Sequence, residues 1–206
     1  MTKLTIPASL TQEFATVEAL WCSSAETRRV DALILSWTKY EKQLRRLFCF
    51  LIYQHPRISA DQIQEVIAIL AENRDLYPYT FIEGIQALGV APVEDLLAPR
   101  YGELAQEMAR IQRYRNKLIH GQITGQGIKS SQLERDVRWI VDWISSLATA
   151  AESEFGYDGL KRNTYRSAKT TSKIAVANYP FQSPAELKAW LSVLTKKKPS
   201  KSSSKK

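Results

Sequence analysis

The amino-acid sequence predicts an all-α fold, an up-down bundle of four to five main helices with a basic C-terminal extension. Three observations carry this. Apolar residues recur with helical spacing over three long stretches, near residues 26–54, 101–119 and 131–155. Helix start and stop signals punctuate the chain between and around them: two capping boxes, an N1 proline and terminal glycines. Finally, 206 residues at 44% hydrophobic content are enough for one domain with a real core plus an appendage.

Taken in order, the first helix spans about Thr11 to Trp21, with Phe14, Val17 and Leu20 on one side, and Ser23 and Ser24 offer an N-cap for the second. That helix, roughly Glu26 to Gln54, repeats Val30, Leu33, Trp37, Leu44, Phe48 and Leu51 within about 40° of a common line. Glu41 falls inside this stripe, a carboxylate where a core residue belongs. His55-Pro56 ends the helix, with His55 read as a turn residue, and Ser59-Ala60-Asp61-Gln62 is a capping box opening a shorter helix through Ile63, Val66, Ile67 and Leu70. Pro78 to Leu88 reads as another short helix closed by Gly89. Pro92 and Pro99 bracket a turn carrying Leu96 and Leu97, and a new helix begins near Tyr101. After a loop from Gly121 to Gly127, the helix from about Ser131 to Phe155 carries an unbroken seam of Leu133, Val137, Ile140, Ile144, Leu147 and Ala151. Trp139 and Trp143 lie off that seam. They give the helix a second apolar face, to be covered by another helix, the returning tail or a second subunit.

Charge divides the chain at residue 158. Residues 1–158, the predicted bundle, hold 17 Lys and Arg against 20 Asp and Glu, a net of −3; residues 159–206, the extension, hold 12 against Glu186 alone, a net of +11. The basic balance therefore belongs to the extension, which suits attraction to a polyanion and equally suits a solubilising end. From Gly159 to Phe181 the chain is basic and aperiodic, and Tyr157 just before it, with Tyr165 and Tyr179 inside it, interleave with Lys161, Arg162, Arg166, Lys169 and Lys173, a pattern that can stack on and neutralise RNA or form an arm packed on the bundle. Ser183-Pro184-Ala185-Glu186 then opens a short helix through Leu187, Trp190, Leu191 and Leu194, and Lys197 to Lys206 is a Lys/Ser-rich end expected to be disordered.

Several function classes drop out. The longest apolar run, Leu47 to Tyr53, is far too short to cross a membrane, and Met1 to Leu10 lacks the pattern of a secretory leader. Cys22 and Cys49 have no ligand-like spacing to each other or to His55 and His120, so neither a disulfide framework nor a metal site is expected, and a reducing cytoplasm is. No glycine-rich phosphate loop, HExxH or nucleophile elbow is present, and no cofactor is expected.

What remains is chemistry that Arg and His perform unaided. Leu104, Met108, Ile111 and Leu118 form a seam whose 4-3-4-3 spacing puts Arg115 at a core position. A guanidinium there must be paired, solvated in a cleft or held for chemistry, and Glu41 is a candidate partner. His120 follows five residues later, about 140° further round the helix, so the two do not share a face, whereas Asn116 and His120 do. Either Gly121 ends the helix and lets the imidazole swing back, or a second copy completes the site. The same residues also fit an ordinary helix end, with Lys117 and His120 near the negative pole of the dipole and Gly121 as cap.

Arg115-Asn116-x-x-x-His120-Gly121 at a helix end resembles the HEPN superfamily, whose motif is an Arg, usually followed by a polar residue, and a His after four to six intervening positions. The resemblance covers roughly residues 10–155. It implies a metal-independent endoribonuclease whose motifs meet across a homodimer, in a toxin-antitoxin or anti-phage setting with an antitoxin or defence partner. On that reading His120 is the general acid or base, Arg115 stabilises phosphorane charge through a bidentate fork, and Asn116 orients the imidazole or holds a phosphate oxygen. Lys117, Glu41 and Arg45 support them. Glu41-x-x-x-Arg45-Arg46 is similar to an acidic-basic element of some HEPN helices, and Glu41 with Arg45 also fits a plain i,i+4 pair. Where related toxins often carry a modifiable tyrosine two residues after the histidine, this chain has Gln122. The alternative is a non-catalytic helical module that binds RNA or a protein.

Overall fold

The computed structural model describes residues 3–25, 27–73, 76–120, 129–160, 164, 174 and 178–196. Among them the chain is all-α: α1 (Thr11–Trp21), α2 (Thr27–Tyr53), α3 (Ile63–Glu72), α4 (Pro78–Ala87), α5 (Val93–Leu96), α6 (Tyr101–Ile119), α7 (Ser130–Phe155) and α8 (Pro184–Lys196). The boundaries follow the local chemistry. Gln62 Oε1 accepts the Ser59 N–H at 3.1 Å ahead of α3, Pro78 opens α4, Gly156 closes α7 in the left-handed region, and the Ser183 Oγ accepts the Glu186 N–H at 3.3 Å in α8. No described helix is long and apolar enough to cross a membrane.

The bundle is built on α2. Its apolar residues exceed one stripe, because α1, α4 and α7 each cover part of it, and Leu33, Trp37, Leu44, Phe48, Phe50 and Leu51 are all buried. α1 runs antiparallel to it, with Glu13 reaching Lys39 at 3.1 Å at one end and Trp21 under the Arg29 guanidinium at the other. α7 runs parallel to it: Arg29 bonds Ser130 and Gln43 Nε2 donates to the Ile144 carbonyl, two links with the same sequence separation of 101. α6 then returns antiparallel along α7, pairing Arg100 with Asp142 and Arg110 with Asp136.

The second apolar face of α7 is covered from within the chain. Trp143 is buried, edge-on to Tyr40 of α2 at 5.5 Å and near Tyr101 of α6 at 6.1 Å, while Trp139 is half-buried against the same core. Of the three coverings open from sequence, another helix of the bundle is the one found among the described residues, so Trp143 calls for no second subunit.

The described part of the C-terminal segment, 178–196, joins the same hydrophobic core. Tyr179 donates through Oη to the Leu51 carbonyl at 2.7 Å, Phe181 stacks on His55 at 5.1 Å, and α8 seats Trp190 against Phe48 at 5.9 Å. α4 closes onto this assembly through Gly84: a Cβ there would stand 2.5 Å from the Phe48 ring and 3.2 Å from Leu194. His55 is therefore not merely a turn residue. It is buried between Tyr179 and Phe181.

Candidate functional site

α6 reaches the site already fixed in rotation. Leu104, Met108 and Ile111 are buried along its seam, and a polar cluster locks it to α7: the fully buried Asp136 accepts from Arg110 and from the Tyr114 hydroxyl, and Arg110 also grips Glu107 at 2.7 Å. Burial first, and then the Asp136 carboxylate, hold the Tyr114 phenol above its ordinary range, so it stays a donor. Asp136 escaped the sequence reading although it carried a signal, three residues after Leu133 and four before Ile140, inside the α7 seam.

Arg115 continues the α6 seam and does what a cation at a core position must. Its side chain is 22% exposed, with Nη2 3.7 Å from Glu41 Oε1, Nη1 donating to Asn116 Oδ1 at 3.0 Å, and Cζ 5.7 Å from the Trp37 ring centre. Glu41 in turn accepts from Trp37 Nε1 at 2.7 Å. Of the two partners that the sequence offered Glu41, the structure brings up Arg115. Arg45 lies exposed over Phe81, 5.5 Å from the ring centre, and forms no ion pair among the described residues.

This pairing leaves Arg115 short of acceptors. A guanidinium carries five N–H groups. One is satisfied by Asn116, the Glu41 contact is longer than a hydrogen bond, and the buried Nε has no acceptor among the described residues. The charge is held in place with donor capacity to spare, an arrangement suited to a second, external oxyanion.

His120 is the C-cap of α6. Its backbone N–H donates to the Asn116 carbonyl at 3.1 Å, the residue is exposed, and Ile119 beside it is 45% exposed. Among the described residues no hydrogen bond or ion pair joins its imidazole to Arg115, Asn116 or Glu41. Asn116 serves Arg115 here instead of orienting the imidazole. Lys117 is exposed in the last turn. Gly121, Gln122, Lys161, Arg162, Tyr165, Arg166, Lys169, Lys173 and Lys197 to Lys206 lie outside the described residues.

One half of the site was missed from sequence. Trp37 reads as a core residue, yet its indole bonds Glu41 and backs Arg115; the i,i+4 spacing of Trp37 and Glu41 is the signal that could have shown it. The chain matches no protein-family model, no curated protein and no solved structure.

Proposed function

We propose that this protein is a metal-independent endoribonuclease that cleaves single-stranded RNA at a composite site formed by two copies of the chain. The observation that carries this is the under-satisfied guanidinium of Arg115, anchored in a helical seam five residues before an exposed histidine. Arg115 takes the scissile phosphate and stabilises the charge that builds on it, while an imidazole moves the proton of the attacking 2′-OH. RNA supplies its own nucleophile: the 2′-oxygen bonds to phosphorus, the bond from phosphorus to the 5′-oxygen breaks, and the proton taken by the imidazole passes to that leaving oxygen, so the protein need provide only these two functions. Since the imidazole does not reach Arg115 within one chain, the partner's copy of this histidine completes the site.

The test is incubation of RNA in EDTA with wild type, Arg115→Ala and His120→Ala. Wild type alone should cut and leave 2′,3′-cyclic phosphate ends. Cutting that needs added Mg²⁺, or that survives in both variants, rejects the mechanism. The same separation of Arg115 from His120 favours a second reading, an RNA-binding module without chemistry, for which RNA is retained by wild type but never cut.

A further inference from the structure

We propose that Trp37 is a positioning residue that holds the Glu41 carboxylate away from Arg115 and so keeps the guanidinium open to a phosphate. The inference rests on the reading of Arg115 as the phosphate-binding group. A carboxylate beside an arginine frequently closes into a bidentate pair, two parallel bonds of about 2.8 Å. Here it does not. Glu41 Oε1 stands 3.7 Å from Arg115 Nη2 and 2.7 Å from Trp37 Nε1, so the indole N–H, and not the guanidinium, is its hydrogen-bond donor.

Trp37 can hold this position because it is packed into the core. It is 1% exposed, its ring meets Tyr40 edge-on at 5.0 Å, and Tyr40 meets Trp143 at 5.5 Å, both of them buried. Trp37 and Glu41 are one turn apart on α2, so the carboxylate is tied back along its own helix while Arg115 arrives from α6. The ring face then carries the guanidinium as a flat support, with Cζ 5.7 Å from its centre. The indole thus restrains the anion and seats the cation with one rigid group. Glu41 stays near enough to stabilise the charge of an unoccupied Arg115, yet not bonded closely enough to use up its donors.

Trp37→Phe separates the two roles, since it keeps a ring face and deletes the N–H. Freed from its donor, Glu41 should swing onto Arg115 and sequester it. Titration with inorganic phosphate, followed by NMR on the Arg115 side-chain N–H signals, should show capture by wild type and weakening on the order of tenfold in Trp37→Phe. In Trp37→Phe/Glu41→Gln, where no carboxylate remains to close the pair, capture should return to within about threefold of wild type. RNA cleavage should follow the same order, and unfolding curves establish that each variant is folded.

Unchanged phosphate capture in folded Trp37→Phe overturns the proposal. So does a loss that Glu41→Gln fails to rescue, which is the mark of a merely structural tryptophan. Phosphate capture with the expected rescue but no RNA cleavage upholds the positioning role and rejects the ribonuclease reading. Cleavage indifferent to Trp37→Phe does the reverse.

Discussion

The ring of His55 lies 2.8 Å through Nε2 from the carbonyl oxygen of Phe181, tying the end of α2 to the segment that leads into α8. The Arg57 N–H donates to Nδ1 at 3.0 Å, so Nδ1 is the bare nitrogen and Nε2 carries the proton that Phe181 accepts. This tautomer is neutral. A second proton on Nδ1 would face the Arg57 N–H and destroy that bond.

Burial, with a smaller push from the Arg57 charge, lowers the His55 pKa from its ordinary value, the Phe181 carbonyl opposing. The neighbouring Tyr179 phenol is pushed upward by burial and stays neutral. The unfolded chain therefore binds the proton more readily than the folded one. The His55 contribution is complete above an unfolded pKa of about 6.5 and is lost as pH falls through that value toward the lower folded pKa. Urea midpoints should drop between pH 7.5 and 5.5, and His55→Gln should flatten that dependence while lowering stability by about 2 kcal/mol at pH 7.5. An equally steep pH dependence in the variant would contradict the assignment.

Asp136→Ala should cost about 3 kcal/mol, because it leaves the Tyr114 hydroxyl and one arm of Arg110 without the buried acceptor they share. Asp136→Asn should cost less, since its amide oxygen still accepts from one of the two donors. Chemical denaturation at neutral pH ranks the two, and the reverse order would show that packing and not hydrogen bonding sets the cost.

Arg115→Met should stabilise the fold while abolishing RNA cleavage. An apolar chain of similar length completes the seam of Leu104, Met108 and Ile111, and Glu41 keeps its bond to Trp37, so a gain of about 0.5–1 kcal/mol is expected. A variant that is both inactive and strongly destabilised would mean that Arg115 is there for the fold.

Two inactive variants should restore each other. When Arg115→Ala and His120→Ala chains are unfolded together and refolded, half the dimers are mixed, and each mixed dimer has one site with both groups intact. Activity near about a quarter of wild type is expected. A mixture that stays inactive, with exchange of chains verified, rules out a site shared between copies.

The helices were legible in the sequence because each records its own solvent exposure: the α2 stripe, the α7 seam and the glycine, proline and capping-box ends needed nothing from elsewhere in the chain. The anomaly of Arg115, and its pairing with Glu41, were legible for the same reason, as charges interrupting apolar rows. What covers a row is a different matter. The tryptophans of α7 show that an apolar face exists, but that Tyr40 and Tyr101 close it depends on helix order and tilt. His55 looked like punctuation because its partners, Tyr179 and Phe181, are more than a hundred residues away. Trp37 was hidden by its own suitability as a core residue.

The parallel alignment of α2 and α7 has a consequence for synthesis. An antiparallel neighbour can fold back at once, whereas 76 residues, Gln54 to Lys129, separate the end of α2 from the start of the helix that covers it. At about 5–20 residues per second a ribosome needs about 4–15 s to deliver them. During that interval the side of α2 meant for α7, with Tyr40 and Gln43, faces water or whatever holds nascent chains, and ribosome-bound chains arrested before Ser130 should lose α2 to protease far faster than chains released at full length. The helix that organises the finished molecule is thus, while the molecule is being made, its most vulnerable part.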